Sequence, residues 1–131
     1  SPLLSKLITD CLRKAGYMKL NVNSNGQEAW DKLCQYRKEG TLDDMVHMVI
    51  TDIEMPLMDG HRLTKLIKDD EVLNHIPVII FSSLVNDEMR RKGETLGADA
   101  QLTKPEIGKL VGAIDKLMDQ REEHLAQKIN G

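Results

Sequence analysis

Apolar and polar positions along this chain repeat with two different periods. A spacing of three and four residues predicts amphipathic helices over residues 2–15, 29–34, 63–67, 86–96 and 107–118. Short β-branched or alternating runs predict strands over residues 18–22, 46–52, 77–82 and 100–103. Strands separated by helices favour an α/β fold, a doubly wound parallel sheet with helices on both faces.

The segments between these elements carry turn, cap and loop signals. Asn25-Gly26 predicts a turn, and the polar stretch 37–44 predicts a loop or an extra helical turn. Asp59 is a candidate cap for the third helix. We assign residues 1–118 to one domain and residues 119–131 to a polar segment that either extends the last helix or frays.

Three strand ends carry polar side chains that suit one chemistry. Asp52 ends the second predicted strand, Ser82 ends the third, and Lys104 follows the fourth. Parallel strands with right-handed crossovers bring these ends to one edge of the sheet. Taken alone, Asp52 could equally well be a functional residue or an ordinary turn residue or helix cap. Together, the three groups favour phosphoryl transfer, with an aspartate nucleophile, a lysine cation and a hydroxyl donor.

Further candidates lie beside these three residues. Ser83 is a possible second hydroxyl, although strand alternation lets only one of the two serines face the site. Pro105 allows a cis peptide bond after Lys104, which would turn the lysine toward the aspartate. For magnesium, the candidate ligands are the Asp52 carboxylate and the backbone carbonyl of Glu54.

Composition narrows the function classes. The 131 residues are 40% hydrophobic and 30% charged, as in a soluble globular protein. The net charge of −3 does not support nucleic acid or an anionic membrane as a partner. No apolar run approaches the roughly 18 residues of a membrane span. Cys11 and Cys34 are better explained as reduced thiols than as a disulfide or a metal pair.

Three motifs in order resemble the receiver domain of two-component response regulators, which has a flavodoxin- or CheY-like fold. The motifs are residues 49–60 (VITDIEMPLMDG), 76–82 (IPVIIFS) and 97–105 (GADAQLTKP). The resemblance extends to about residue 118. It implies that Asp52 accepts a phosphoryl group from a histidine kinase, that the Ser82 hydroxyl follows that group, and that Lys104 pairs with it. Neither a substrate pocket nor a general base is evident in the sequence, so we do not expect the chain to be an enzyme.

Within that family, residues 82–84 and 98–107 look most like chemotaxis proteins of the CheV type. Such proteins join a receiver to a coupling domain that docks chemoreceptors and their kinase, and no coupling domain is present here. The implied role is to modulate receptor–kinase coupling. Two alternatives stay open: the receiver of a DNA-binding response regulator, and a protein-binding module that works without phosphorylation.

The chain departs from the receiver pattern in two places. Gln101 occupies the position of an aromatic switch residue, and an amide cannot bury like a ring. We therefore expect the output to depend on the loop formed by residues 82–85. The resemblance also implies a first strand and an acidic pair upstream of Ser1. We expect the natural protein to continue upstream, and this chain to bind magnesium weakly or not at all.

Overall fold

The computed structural model describes residues 2–14, 16, 25–53, 57–83, 86–104 and 106–130. For residues 2–5 and 124–130 it describes the main chain alone. The chain divides into two units, one of residues 1–22 and 106–131 and one of residues 23–105. The predicted strand over residues 18–22 lies outside the described residues.

The first unit contains two helices that contact each other, α1 (Pro2–Lys14) and α6 (Ile107–Asn130). After α1, Gly16 has a φ of +102° and donates its N–H to the carbonyl of Arg13 at 3.0 Å. Helix α6 continues without a break past residue 118, so the polar residues after it extend the helix. The domain boundary at residue 118 stays a prediction.

The second unit contains a parallel sheet and four helices among its described residues. The strands are β1 (Val49–Thr51), β2 (Val78–Ser82) and β3 (Ala100–Thr103), in the order β1-β2-β3. The helices are α2 (Gly26–Glu39), α3 (Leu42–Met45), α4 (Gly60–Asp69) and α5 (Asp87–Leu96). Strands β1 and β3 both pair parallel to β2, which confirms the predicted α/β class with a parallel sheet.

Strand β2 is central among the described strands, and all five of its residues are buried. This explains its uninterrupted apolar sequence, because a strand covered on both faces has no polar side. The start of β2 belongs to an apolar cluster whose buried members are Leu33, Leu42, Leu63, Ile67, Leu73, Ile76 and Val78. The cluster joins α2, α3 and α4 to the sheet at the start of β2, and Val49 at the start of β1 packs against it.

Side-chain caps set the starts of three helices. Asp59 Oδ1 accepts the Arg62 N–H at 2.7 Å, as predicted, and Asn86 Oδ1 accepts the Met89 N–H at 2.8 Å. The turn predicted at Asn25-Gly26 is wrong, because Asn25 Oδ1 accepts the N–H of Glu28 at 2.8 Å and caps α2. Asparagine favours both turns and N-caps, so the dipeptide alone did not separate them.

Strand β1 is shorter than the predicted strand over residues 46–52. Val46 donates its N–H to the carbonyl of Leu42 at 2.8 Å and so completes α3 instead of pairing in the sheet. Residues 37–44 were predicted as a loop or an extra helical turn. They contain the end of α2, the cap residue Gly40 and most of the short helix α3. Gly40 has a φ of +74°, a left-handed conformation that ends α2.

A lysine joins α4 to two loops at the amino-terminal edge of the sheet. Lys68 Nζ lies 2.8 Å from Asp99 Oδ2 and donates to the carbonyls of Ile76 at 2.9 Å and Asn74 at 3.2 Å. Asp99 Oδ2 also accepts the Val78 N–H at 2.7 Å. The pair therefore holds the loop before β3 against the start of β2.

His61, in the first turn of α4, is a buried titratable group. Its side chain is 3% exposed, and its Nε2 has no hydrogen-bond partner among the described residues. Burial lowers the pKa of His61 and the positive charge of Lys92 adds to this, whereas Asp59 acts in the opposite direction. The folded protein therefore favours the neutral imidazole more than the unfolded chain does.

We expect His61 to make stability fall as the solution becomes acidic. Below about pH 6.5 the unfolded chain binds a proton at this residue before the folded protein does, so unfolding becomes easier. The contribution is at most about 1.4 kcal/mol per pH unit. Urea unfolding of the wild type and His61→Gln at a series of pH values between about 7 and 5 measures it. The slope of the unfolding free energy against pH should be smaller in His61→Gln than in the wild type, and it should be unchanged in the exposed-site control His47→Gln. Equal slopes in all three proteins would refute this prediction.

Candidate functional site

The side chains that end the three described strands meet at the carboxyl edge of the sheet. Asp52 follows β1, Ser82 is the last residue of β2, and Lys104 follows β3. Lys104 Nζ donates to Asp52 Oδ2 at 2.6 Å, and the side chain of Ser82 also hydrogen bonds to the Asp52 carboxylate. The Asp52 carboxylate therefore contacts both the amine and the alcohol, as the positions of the strand ends predict.

Backbone contacts hold Asp52 and Lys104 in place. Asp52 Oδ1 accepts the N–H of the next residue, Ile53, at 2.7 Å, and Thr51 Oγ1 donates to the Asp52 carbonyl at 2.9 Å. The Lys104 N–H donates to the carbonyl of Ser82 at 3.0 Å, which continues the β2–β3 ladder. These bonds fix the main chain at Asp52 and at Lys104. The positions from which the two side chains approach each other are therefore restricted.

Gly60 brings the start of α4 into contact with the backbone of Asp52. Its N–H donates to the carbonyl of Ile53 at 2.9 Å. A Cβ at position 60 would lie 1.8 Å from the Asp52 carbonyl oxygen, a separation that no side chain tolerates. Sequence reasoning assigned this glycine only to a loop; the signal for its role is the Asp-Gly pair at the start of a helix that follows the site.

The charge of Asp52 is stabilised in this environment. Partial burial raises the pKa of Asp52, but the hydrogen bonds from Lys104 and Ser82, the lysine charge and the Ile53 N–H together lower it below its usual value. The side chain of Asp52 is 30% exposed and that of Lys104 is 20% exposed. The carboxylate is thus ionised near neutral pH and still reachable from solvent, which a nucleophile requires.

The two adjacent serines differ sharply in position. Ser82 is 1% exposed and contacts Asp52, whereas Ser83 is exposed. This is the alternation expected at the end of a strand, where neighbouring side chains point to opposite faces. Ser82 is therefore the serine that the fold brings to the carboxylate.

The described residues do not make up a magnesium site by themselves. They contain no group of three or more His, Cys, Asp or Glu side chains that could hold a metal ion. Asp52 is present, but each of its carboxylate oxygens already accepts a hydrogen bond. Glu54, whose carbonyl is the other candidate ligand, and Pro105, the predicted cis residue, lie outside the described residues.

Within the described part of the chain, every helix is too short or too polar to cross a membrane.

Comparison with known proteins identifies relatives of this chain. The family model for the response regulator receiver domain matches residues 1–115. The gliding motility regulatory protein of Myxococcus xanthus is 40% identical over 95 residues, 71% of this chain and 11% of that protein. Chemotaxis protein CheV2 of Helicobacter pylori is 42% identical over 83 residues, 63% of this chain and 25% of that protein. The chain thus spans only a small part of both relatives.

A third relative is similar in length to this chain. The polar-differentiation response regulator DivK of Brucella anthropi is 32% identical over 103 residues, 76% of this chain and 74% of that protein. The three relatives carry different names for their cellular roles, so they agree on the domain and differ on its use.

Solved structures share the fold. The receiver domain of a signal transduction histidine kinase from Syntrophus aciditrophicus superposes with a TM-score of 0.76 at 29% identity, covering 92% of this chain and 85% of that one. The receiver domain of a sensor histidine kinase from Pseudomonas aeruginosa, solved with a magnesium ion coordinated in its active-site cleft, has a TM-score of 0.74 at 20% identity. It covers 91% of each chain.

Proposed function

Because this chain belongs to the family of response regulator receiver domains, which are signalling modules and not enzymes, we propose that Asp52 accepts a phosphoryl group from a histidine kinase. The observation that carries this proposal is the pairing of Asp52 with Lys104 at 2.6 Å beside the hydroxyl of Ser82. A carboxylate held between a cation and a hydroxyl donor is a nucleophile placed where a phosphoryl group can be stabilised.

The chemistry is a transfer from nitrogen to oxygen. One carboxylate oxygen of Asp52 forms a bond to phosphorus while the bond between phosphorus and the kinase histidine nitrogen breaks. That nitrogen keeps the bonding electron pair. Lys104 exchanges its contact with the carboxylate for one with the charged phosphoryl oxygens, and the Ser82 hydroxyl donates a hydrogen bond to the same group.

Magnesium belongs to this proposal as a cofactor, with Asp52 and the Glu54 carbonyl as ligands. The support is the coordinated magnesium of the Pseudomonas aeruginosa receiver. When bound, such an ion supplies positive charge to the phosphoryl oxygens. Since the described residues do not complete the ligand set, no step above depends on the ion.

Intact-mass spectrometry after incubation with acetyl phosphate and magnesium tests the proposed function. The wild-type chain should gain the mass of one phosphoryl group, and Asp52→Asn should gain none. The exposed-residue variant Asp87→Asn is the matched control and should gain one group like the wild type. If neither the wild type nor the control gains mass, the proposed function is refuted for this chain and a binding module that works without phosphorylation is favoured.

We expect the two serines to differ in their effect on the reaction. Ser82→Ala removes a hydrogen bond to a charged group, worth about 1.5–3 kcal/mol, and should slow phosphoryl accumulation about tenfold or more. Ser83→Ala should leave the rate within about twofold of the wild type, because the side chain is exposed. Time-resolved intact-mass spectrometry measures the rate of phosphoryl accumulation in both variants. Similar rates for Ser82→Ala and Ser83→Ala would show that Ser82 has no part in the mechanism.

For the cellular role, we propose chemotaxis signalling in the cytoplasm, with a chemoreceptor–kinase array as the partner. The support is the 42% identity to CheV2 together with the motif resemblance. The alternatives are a DNA-binding response regulator and the phosphorylation-independent module. A chemotaxis kinase should transfer its phosphoryl group to this chain faster than kinases of other pathways do, and the opposite order would favour the first alternative.

A further inference from the structure

Helix α2 begins in contact with the backbone of the loop that follows Asp52. Gly26, its first residue, is buried, and a Cβ at this position would lie 2.2 Å from the carbonyl oxygen of Met58 and 3.0 Å from its carbonyl carbon. Both are backbone atoms, so no side-chain rotation makes room for a larger residue. Asn25 caps the helix by accepting the Glu28 N–H at 2.8 Å, which fixes the start of the helix. The space left by the absent side chain of Gly26 therefore contains the Met58 carbonyl.

The same loop contacts the backbone of Asp52 two residues later. The Gly60 N–H donates to the carbonyl of Ile53 at 2.9 Å, and the space that a Cβ of Gly60 would fill contains the Asp52 carbonyl. The segment from Met58 to Gly60 is thus held by α2 at one end and by the Asp52 main chain at the other. Since consecutive Cα atoms are about 3.8 Å apart and only Asp59 separates the two contacts, a shift at Met58 is passed to the contact with Asp52.

Leu57, the residue before Met58, has an unfavourable backbone conformation. Its φ is +67°, and it is the only non-glycine residue with a positive φ in the part of the chain that the structure describes. A residue with a Cβ rarely adopts this region, because the Cβ comes too close to the following carbonyl oxygen. Leu57 is 84% exposed, so the packing of its side chain does not compensate for the conformation. Such a conformation persists where the surrounding structure imposes it, and the contact of Met58 with Gly26 is the adjacent constraint.

We propose that Gly26 is a positioning residue for Asp52: by admitting the Met58 carbonyl, it holds residues 57–60 in a strained conformation and so fixes the Asp52 main chain opposite Lys104. The importance of this contact for phosphoryl acceptance rests on the proposed function. Gly26 acts through the loop and takes no part in the chemistry. The strain at Leu57 is the consequence that stability measurements detect.

Melting temperatures of the unphosphorylated protein test whether the Gly26 contact imposes the strain. Leu57→Gly should raise the melting temperature by about 2–4 °C, because glycine adopts a positive φ without a steric cost. In a Gly26→Ala background the displaced loop releases Leu57 from this conformation, so the same change should give less than half of that gain. In the control background Gly112→Ala, where the new methyl group meets nothing within 4 Å, the full gain should remain. No gain in the wild type, or an equal gain in all three backgrounds, would overturn the proposal.

A second pair of variants keeps this test decisive if Gly26→Ala does not fold. Asn25→Ala removes the cap of α2 and adds nothing at position 26, so it loosens the start of the helix and should reduce the gain from Leu57→Gly. Asn86→Ala removes the equivalent cap of α5, whose bond to the Met89 N–H is also 2.8 Å long, and should leave the gain unchanged. Equal gains in these two backgrounds would overturn the proposal.

Hydrogen exchange at single amides, measured by NMR spectroscopy, tests the positioning of Asp52. The Ile53 N–H donates to Asp52 Oδ1 at 2.7 Å and the Gly60 N–H donates to the Ile53 carbonyl, so both amides report the local geometry. In Gly26→Ala both should exchange at least about tenfold faster than in the wild type, because the bonds that protect them are disrupted. Lys68→Met breaks an ion pair at the opposite edge of the sheet and should change these two rates less than about twofold. Equal acceleration in both variants would overturn the positioning role.

The rate of phosphoryl accumulation tests the consequence for function. Acetyl phosphate with magnesium is the donor, and intact mass is followed at a temperature at which every variant is folded. Gly26→Ala should accumulate the group at least about tenfold more slowly than the wild type, and Lys68→Met should stay within about twofold of it. A wild-type rate in Gly26→Ala would overturn the role in phosphoryl acceptance. A wild-type protein that gains no mass would instead refute the proposed function and leave the contact to be judged by the melting temperatures and hydrogen exchange.

Discussion

Gly60→Ala should destabilise the protein by about 3 kcal/mol and prevent phosphoryl acceptance, although it adds only one methyl group. The added Cβ would lie 1.8 Å from the carbonyl oxygen of Asp52, 2.7 Å from its carbonyl carbon and 3.2 Å from the Cα of Ile53. All three are backbone atoms, so no side-chain rotation relieves the contact. The main chain after β1 has to move, and the Asp52 carboxylate moves with it.

Gly112→Ala is the matched control for this prediction. A Cβ at position 112 meets nothing within 4 Å, and Gly112 lies inside helix α6. Alanine there should be neutral or should stabilise by up to about 1 kcal/mol, because it favours the helix. Urea unfolding and the acetyl phosphate reaction measure both variants. A Gly60→Ala protein that is as stable as the wild type and is phosphorylated at the same rate would show that the close approach of α4 to Asp52 is not present.

Lys68→Met should cost about 2–4 kcal/mol of unfolding free energy, a large loss for a single ion pair. The side chain of Lys68 is 15% exposed and that of Asp99 is 32% exposed, so the pair is partly shielded from water. The ammonium has three acceptors: the Asp99 carboxylate at 2.8 Å and two backbone carbonyls. Methionine fills the space but leaves the carboxylate and both carbonyls without that donor.

Lys65→Met tests whether the shielding of the pair causes this loss. Lys65 Nζ lies 2.8 Å from Asp69 Oδ2, the same distance, on the same helix, but the two side chains are 51% and 65% exposed. Exposed pairs of this kind contribute roughly 0.2–1 kcal/mol at most. Urea unfolding at neutral pH compares the two variants. Equal losses for Lys65→Met and Lys68→Met would contradict a structural role for the Lys68–Asp99 pair.

Much of the fold could be predicted because local signals and tertiary contacts agree there. The apolar run that ends at Ser82 reads as a covered strand, and it is buried along its whole length. Strand β3 occupies the predicted residues 100–103, and Asp59 caps α4 as expected. The convergence of Asp52, Ser82 and Lys104 follows from parallel strand order alone, since each residue lies at or just after the carboxyl end of its strand.

The parts that could not be predicted depend on contacts between residues far apart in sequence. Gly60 and Gly93 look like ordinary loop and helix glycines until the Asp52 carbonyl and the Gln101 amide are placed beside them. Lys68 and Asp99 are 31 positions apart and carry no motif, so their pairing emerges only after the helix packs on the sheet. Gln101 was expected to lose the function of an aromatic residue, and the structure shows that its amide bonds to α5.

Reductive trapping of the phosphorylated chain tests the central claim, that the paired carboxylate of Asp52 is the phosphoryl acceptor. Borohydride reduces an aspartyl phosphate to homoserine, whereas it leaves a phosphoserine or a free carboxylate unchanged. After treatment with acetyl phosphate and then borohydride, peptide mass mapping should find homoserine at position 52 and at no other aspartate. Homoserine elsewhere, or a phosphorylated protein in which residue 52 is still aspartate, would contradict the account.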